Sequence, residues 1–338
     1  MKILVTGGAG YVGSVVIPEL VKDGHQIKCL DRFFFGSEFL SRKEFEGKVE
    51  LIKDDIRWFD SKILDGIDVV LDLAALSNDP AGDLDPAKTF DINHLGRSRV
   101  ARLSKNAGVK RYILASSASI YGQQDNTADE NSKPNPLTAY SKANRMAEVD
   151  NLPLNDDNFT VTALRFSSIY GLSPRMRFDL AVNSMALEIY KTGKILVRGK
   201  SNARPFLHIK DAARAYSLVV KSQKEKIGGQ IFNVGSDNQN YRMDDLAKEV
   251  GDSIGKKYEI ELKDTQDNRS YKASFKKIRD TLGFEAKFTV KDGSVEIYKA
   301  LETGGLTDSM KTITVEWYKH LQSIHTFSQE ISLRGTIL

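Results

Sequence analysis

Glycines spaced three apart, Gly7, Gly10 and Gly13, follow the apolar run Lys2–Thr6 and open the amphipathic stretch Val12–Lys22. A short run rich in Ile, Leu and Val reads as a buried strand, and a helix starting directly after it needs a tight turn. Gly7 permits that turn, Gly10 lets another group approach the backbone, and Gly13 lets the helix pack closely on the strand. Past the loop, the helix N-terminus offers unpaired N–H groups and a favourable dipole to an anion. A second apolar run, Gln26–Asp31, completes the unit and ends on a carboxylate. In this order the parts predict a dinucleotide site, with the pyrophosphate on the loop and Asp31 on the adenosine ribose. An acid there repels a 2′-phosphate, so NAD is the expected cofactor, while Arg32 is the feature that would suit NADP.

The alternation continues along the chain. Val49–Lys53, Val69–Ala74, Arg111–Ser116 and Thr160–Arg165 read as further strands, and Asp85–Ala107 and Leu137–Asn151 as helices. Strands alternating with helices imply right-handed crossovers and a parallel sheet covered on both faces. The predicted class is therefore α/β, a Rossmann-type doubly wound parallel sheet with a smaller carboxy-terminal substrate lobe. Pro18 inside the first helix predicts a slight kink. After about residue 170 the pattern thins. Strands at Ile195–Arg198, Gln230–Val234 and Tyr258–Leu262, with helices near Asp211–Lys221, Arg242–Ile254 and Ser294–Thr303, are read as the second lobe. The expected division is residues 1–170 for the NAD-binding domain and 171–321 for the substrate lobe, the two interleaved because no linker separates them. Residues 322–338 show no clear periodicity and are read as a loosely held tail.

Composition removes several alternatives. With 41% hydrophobic and 28% charged residues, the 338-residue chain is neither disordered nor fibrous. A net charge of +4 is too small and too dispersed for a nucleic-acid footprint. No apolar run approaches the ~20 residues of a membrane span, and no leader pattern precedes the first strand. The single cysteine, Cys29, cannot form an internal disulfide. The expectation is a cytoplasmic protein with neither nucleic-acid nor membrane partner, and no metal site.

Wider matches follow the glycine loop in order. They are Asp54-Asp55-Ile56-Arg57, Leu73-Ala74-Ala75, Asn93, the run Ser116 to Gly122, Pro136-Leu137-Thr138-Ala139-Tyr140, Leu164-Arg165 with Ile169-Tyr170-Gly171, and Arg204 to Asp211. Together they resemble the nucleotide-sugar epimerase/dehydratase branch of the extended short-chain dehydrogenase/reductase superfamily, from residue 3 to about 320. The 4-epimerase members supply the motifs carried over. The resemblance implies cofactor contacts at Gly7, Gly10, Tyr11, Val12, Gly13, Asp31 and Arg32, with Asp55 and Ile56 flanking the adenine. It adds Ala74 on the pyrophosphate beside Leu73 and Ala75, Asn93 near the nicotinamide half, and Ser116, Tyr140 and Asn144. For a nucleotide-diphosphate sugar it implies contacts at Ser77, Ser117, Ser119, Tyr140, Ser168 and Arg175. Arg204 and Arg269 would grip the diphosphate, a task suited to planar, permanently charged guanidinium groups. His208, in an apolar run before a helix, reads as a packed structural residue. The family's homodimer would form through Asp85–Ala107 and Leu137–Asn151, whose Leu95, Val100, Leu103 and Met146 face either a partner or their own sheet.

Hydride chemistry at a sugar carbinol needs a base for the hydroxyl proton. In the family a tyrosine serves, here Tyr140, with a serine, here Ser117, bonded to the same oxygen. A phenol of pKa ~10 is a poor base unless a nearby cation stabilises the phenolate. The family places a lysine four residues on, and this chain carries Asn144 there. Glu148 keeps the register, and Lys142 should point away, about 200° around the helix. Either a weaker base is tolerated, or another cation enters the site, or the chemistry has been lost. Ala118 and Ser119 stand where dehydratases of the family carry an acid–base pair, which disfavours dehydration. Ser168 replaces an asparagine that contacts substrate in the 4-epimerase. The leading expectation is an NAD-dependent nucleotide-sugar epimerase acting at C4. A 4-ketoreductase or C4 dehydrogenase, and a non-catalytic NAD-binding sensor, are the alternatives.

Overall fold

A computed structural model describes residues 1–263, 267–333, 335 and 336. Six strands fall on the runs marked in the sequence: β1 (Lys2–Thr6), β2 (Gln26–Asp31), β3 (Val49–Lys53), β4 (Val69–Asp72), β5 (Arg111–Ser117) and β6 (Thr160–Phe166). They are followed by β7 (Ser168–Tyr170), β8 (Lys194–Arg198), β9 (Ala203–His208), β10 (Gln230–Val234), β11 (Asn240–Arg242) and β12 (Glu259–Lys263). The central sheet has seven parallel strands in the order β10-β6-β5-β4-β1-β2-β3. Parallel strands are covered on both faces, and the pleat divides their side chains between two cores. Ile3, Val5 and Cys29 enter one, against the helices Gly13–Lys22 and Ile209–Lys221. Leu4, Leu30 and Val70 enter the other, against Arg97–Asn106 and Ala139–Asn151.

Gln230–Val234, read as part of the second lobe, belongs to this sheet. It pairs with Thr162–Phe166 of β6, and its Phe232 and Val234 are fully buried. The helix Ile209–Lys221, packed beside Gly13–Lys22, is the crossover that returns the chain to the sheet edge. The remaining strands form a three-stranded sheet, β11-β9-β7, and a parallel pair, β12-β8.

Two further regions differ from the expectation. The predicted helix Asp85–Ala107 is built from Pro86–Phe90, a π-helical segment Asp91–Gly96, and Arg97–Asn106. Residues 322–331 of the predicted tail 322–338 belong to a helix, Thr314–Ile331, while residues 334, 337 and 338 lie outside the described residues. Ile324, Phe327 and Ile331 recur at helical spacing, but they are exposed, so no buried stripe announces the element. Its first half is anchored instead by aromatic contacts. Tyr318 packs against Phe34 and Phe35, and the Trp317 indole donates to the Phe34 carbonyl at 2.7 Å. Among the described residues no helix is long and apolar enough to cross a membrane, and no cluster of His, Cys, Asp or Glu could hold a metal.

Candidate active site

The carboxyl ends of β1, β2, β4, β5 and β6 open on a cavity of about 1100 Å³. Open α/β sheets bind ligands at this edge. The lining contains every site residue read from the sequence except Asn93. Asn93 is fully buried, and its amide accepts from the Leu76 N–H at 2.8 Å and donates to the Leu76 carbonyl at 3.0 Å. It fixes the loop after β4 rather than lining the cavity.

The loop between β1 and its helix is built from the backbone. Gly7 has φ +66°, and a Cβ there would lie 2.7 Å from the Ala74 main chain. A Cβ on Gly13 would lie 2.5 Å from the Gly8 main chain, so the helix could not sit so close. Gly10 is different: a Cβ there would meet only the Gly7 carbonyl, at 3.1 Å, which leaves a cradle open toward the cavity. No side chain caps the helix N-terminus. Asp31 accepts from the Ala9 N–H at 3.0 Å and the Phe33 N–H at 2.8 Å, tying the end of β2 to the loop. Burial pushes its carboxyl up, against these backbone bonds. Arg32 is exposed but engaged, donating to Asp55 at 2.9 Å. Asp55 also accepts from Arg57; against its burial, these bonds bring the carboxyl down to about 2.

Arg175, read as a substrate contact, lines the same cavity beside Phe35. Its guanidinium stacks 3.6 Å from the Phe35 ring centroid and donates to Thr314 at 3.0 Å. It is 6% exposed, and its Nε and Nη1 have no hydrogen-bond partner. Burial, reinforced by Arg177, lowers its pKa to about 9. The Gly10 cradle, beside an uncapped helix N-terminus, fits the pyrophosphate of a dinucleotide.

The catalytic wall joins β5 to the helix Ala139–Asn151. Pro136 precedes a capping box in which Thr138 accepts from the Ser141 N–H at 3.2 Å and Ser141 accepts from the Thr138 N–H at 3.0 Å. The box fixes Tyr140 in the first turn, where it lines the cavity together with Ser117. Burial pushes the phenol up and Asp79 adds to the rise, while Ser117, Arg97 and Arg177 oppose it. Ser117 also bonds Ser119, at 2.9 Å between hydroxyls. Lys142 is exposed and off the cavity wall. Glu148, fully buried, accepts from Ser116 at 2.6 Å and from Arg165 at 2.8 Å, locking the helix to β5 and β6.

Arg204 and Arg269 share the cavity wall with the carboxylate of Asp267. Arg269 also pairs with Asp79, which in turn accepts from Thr138. Arg204 lies over Tyr271, and burial lowers its pKa. Ser77 accepts from Arg177 at 3.0 Å, and Arg177 is held by Asp179 through two bonds. Ser168 lines the wall from β7. His208 is fully buried off the cavity, between Glu296 and the stacked ring of Phe288, the structural place read for it.

Two groups of residues escape sequence reasoning. Tyr318, Leu321, Gln322 and His325, from the carboxy-terminal helix, line the cavity. Arg97, 1% exposed, reaches under the catalytic wall from the first turn after the π segment. It donates to the Asn144 side-chain oxygen at 2.8 Å, the Asp72 carbonyl at 3.1 Å and the Ala115 carbonyl. Asn144 passes the contact on, donating to the Tyr140 carbonyl at 3.0 Å.

A doubly wound sheet, a glycine-cradled phosphate loop and a serine–tyrosine pair at one cavity define a dinucleotide-binding fold of the Rossmann type. The model of the NAD dependent epimerase/dehydratase family matches residues 3–235, and the chain belongs to that family. It is 29% identical over 310 residues to the UDP-glucose 4-epimerase of Lactobacillus helveticus, spanning 85% of this chain and 92% of that one. It is 28% identical over 306 residues to UDP-glucuronic acid decarboxylase 1 of Arabidopsis thaliana, spanning 87% and 68%. The crystal structure of UDP-glucuronic acid 4-epimerase from Bacillus cereus, in complex with UDP-glucuronic acid and NAD, matches with TM-score 0.80 at 23% identity, covering 90% of this chain and 99% of that one.

Proposed function

We propose that this chain is an NAD-dependent nucleotide-sugar epimerase acting at C4. One observation carries the reading. Ser117 and Tyr140 line the same cavity as the phosphate loop, and the Ser117 hydroxyl acts on the phenol of Tyr140, so a sugar hydroxyl and a dinucleotide can meet there. NAD, when bound, would supply the hydride acceptor and donor at C4, and inversion requires the hydride to come back on the opposite face of the sugar. The chain's own residues do the rest. The glycine loop holds the dinucleotide phosphates, and Asp31 receives the adenosine ribose. Tyr140 takes the proton of the C4 hydroxyl and later gives it back, while Ser117 orients the phenol oxygen. Arg204 and Arg269 exchange their bonds to Asp267 for the substrate diphosphate. Ala118 and Ser119 cannot exchange protons at neighbouring carbons, and Asp79 is engaged by Arg269 and Thr138, which favours epimerisation over dehydration or decarboxylation.

The test is turnover on a panel of nucleotide-diphosphate sugars with NAD, following the C4 epimer by NMR, with thermal shift reporting binding. Interconversion of C4 epimers without net NADH is the expected result. Tyr140→Phe should lower turnover by ~100-fold while leaving NAD binding nearly intact. Stoichiometric NADH with a keto product would replace the epimerase by a C4 dehydrogenase. Net consumption of added NADH on 4-keto sugars would point to a reductase.

The same reading includes a homodimer in the cytoplasm. Leu95, Met146 and Val149 are exposed on neighbouring helical segments, a patch suited to a second copy, and the only cysteine is a buried free thiol. Sedimentation at micromolar concentration should give twice the chain mass, and a monomer there removes the dimer.

A further inference from the structure

Where the resemblance calls for a lysine to support the base, this chain carries Asn144. The structure supplies a cation by another route. Arg97 enters between the ends of β4 and β5, and two of its three guanidinium nitrogens are spent on main-chain carbonyls and the Asn144 oxygen. None of these partners carries a charge. Its nearest carboxylate is Asp72, whose Oδ2 lies 3.7 Å from Nε, and Nε itself has no hydrogen-bond partner. The Asp72 oxygens are occupied instead by the hydroxyls of Thr6 and Tyr112, each at 2.5 Å. Arg177, the other cation acting on Tyr140, is clamped by both oxygens of Asp179.

We propose that Arg97 is the positioning residue that takes the place of the absent lysine, presenting a buried positive charge beneath Tyr140 and fixing its helical turn through Asn144. The inference rests on Tyr140 being the base. The groups that interact electrically with that phenol are Asp79, Arg97, Arg177, Tyr216 and Tyr271, and Asp79 is itself paired with Arg269. An opposite charge within about 4–6 Å of an ionising group typically moves its pKa by ~1–3 units, and Arg97 is tied to the turn of Tyr140 through Asn144. Arg97 therefore favours the phenolate, whereas burial and Asp79 oppose it. Because the active form is the deprotonated one, wild-type turnover should climb toward alkaline pH.

The experiment compares pH–rate profiles of turnover for the wild type, Arg97→Met, Arg97→Lys and the double variant Arg97→Met with Asn144→Lys, each checked for NAD binding. Arg97→Met should displace the alkaline limb upward by about one unit, a tenfold loss of rate at fixed pH on that limb. The double variant, which moves the charge back onto the helix of Tyr140, should recover most of that displacement. A merely structural arginine would lower the rate without moving the profile, and an unmoved Arg97→Met profile overturns the proposal. Should Arg97→Met fail to fold, Arg97→Lys decides. It keeps the charge but loses the forked bonds, so its limb must stay within a few tenths of a unit, and a full-unit displacement overturns the proposal. No wild-type turnover on any nucleotide sugar would remove the parent reading and Arg97 with it. Turnover with an unmoved variant profile would remove Arg97 alone.

Discussion

The two halves of the cavity are made by different means. At the phosphate loop the main chain shapes the site, and the glycines are there because a Cβ on Gly7 or Gly13 would strike backbone that cannot yield. At the catalytic wall side chains shape it, and charges reach one phenol from two helices and a distant loop. A backbone-built site tolerates almost no change at its few fixed positions. A side-chain-built site can exchange one residue for another if the charge is made up from elsewhere. Asn144 and Arg97 fit that second description.

The comparison breaks most sharply at Gly7. Alanine there combines a left-handed φ, worth ~1–2 kcal/mol, with overpacking of ~1–3 kcal/mol. A loss of roughly 2–5 kcal/mol should show as a lowered melting temperature together with loss of detectable NAD binding by calorimetry. If Gly7→Ala binds NAD like the wild type, the loop is not the rigid cradle described. At the other wall, the ~100-fold loss expected for Tyr140→Phe concerns turnover alone, so the contrast between the two variants separates binding from chemistry.

This division also explains what could be read from the sequence. The strand, glycine loop and helix are legible because the period of two, the turn and the period of 3.6 each leave a local mark. Tyr140 and Ser117 were placed by matching motifs, and the capping box at Thr138 fixes the turn that makes the match meaningful. Arg97 leaves no such mark. In Arg97-Ser98-Arg99 it looks like any solvated helix face, and nothing local shows that the helix carries it under Asn144, 47 residues later. Asn93 matches a cofactor position in sequence, but both ends of its amide are taken by Leu76. The carboxy-terminal helix was missed because its apolar residues 324, 327 and 331 face solvent, and its attachment is an aromatic contact with Phe34 and Phe35, far away in sequence.

The smallest expected effect lies where the two means of construction meet, at Asp31. Its carboxylate ties the loop to β2 through Ala9 and Phe33, and it also sets the charge that a ribose phosphate would encounter. Asp31→Ser should therefore weaken NAD by loosening the loop and strengthen NADP by removing repulsion. The wild type should prefer NAD by at least ~10-fold, about 1.4 kcal/mol, and the variant should lose most of that ratio. Arg32 is already bonded to Asp55, so its charge reaches a 2′-phosphate only by giving up that pair, which limits the gain. Calorimetric titration with both dinucleotides reads the ratio directly. Because burial raises the Asp31 carboxyl, it takes up a proton at higher pH than an ordinary aspartate, and the wild-type preference should narrow on acidification. A ratio near one in the wild type at neutral pH, or an unchanged ratio in Asp31→Ser, would confine Asp31 to its backbone bonds and remove it as a selector of cofactor.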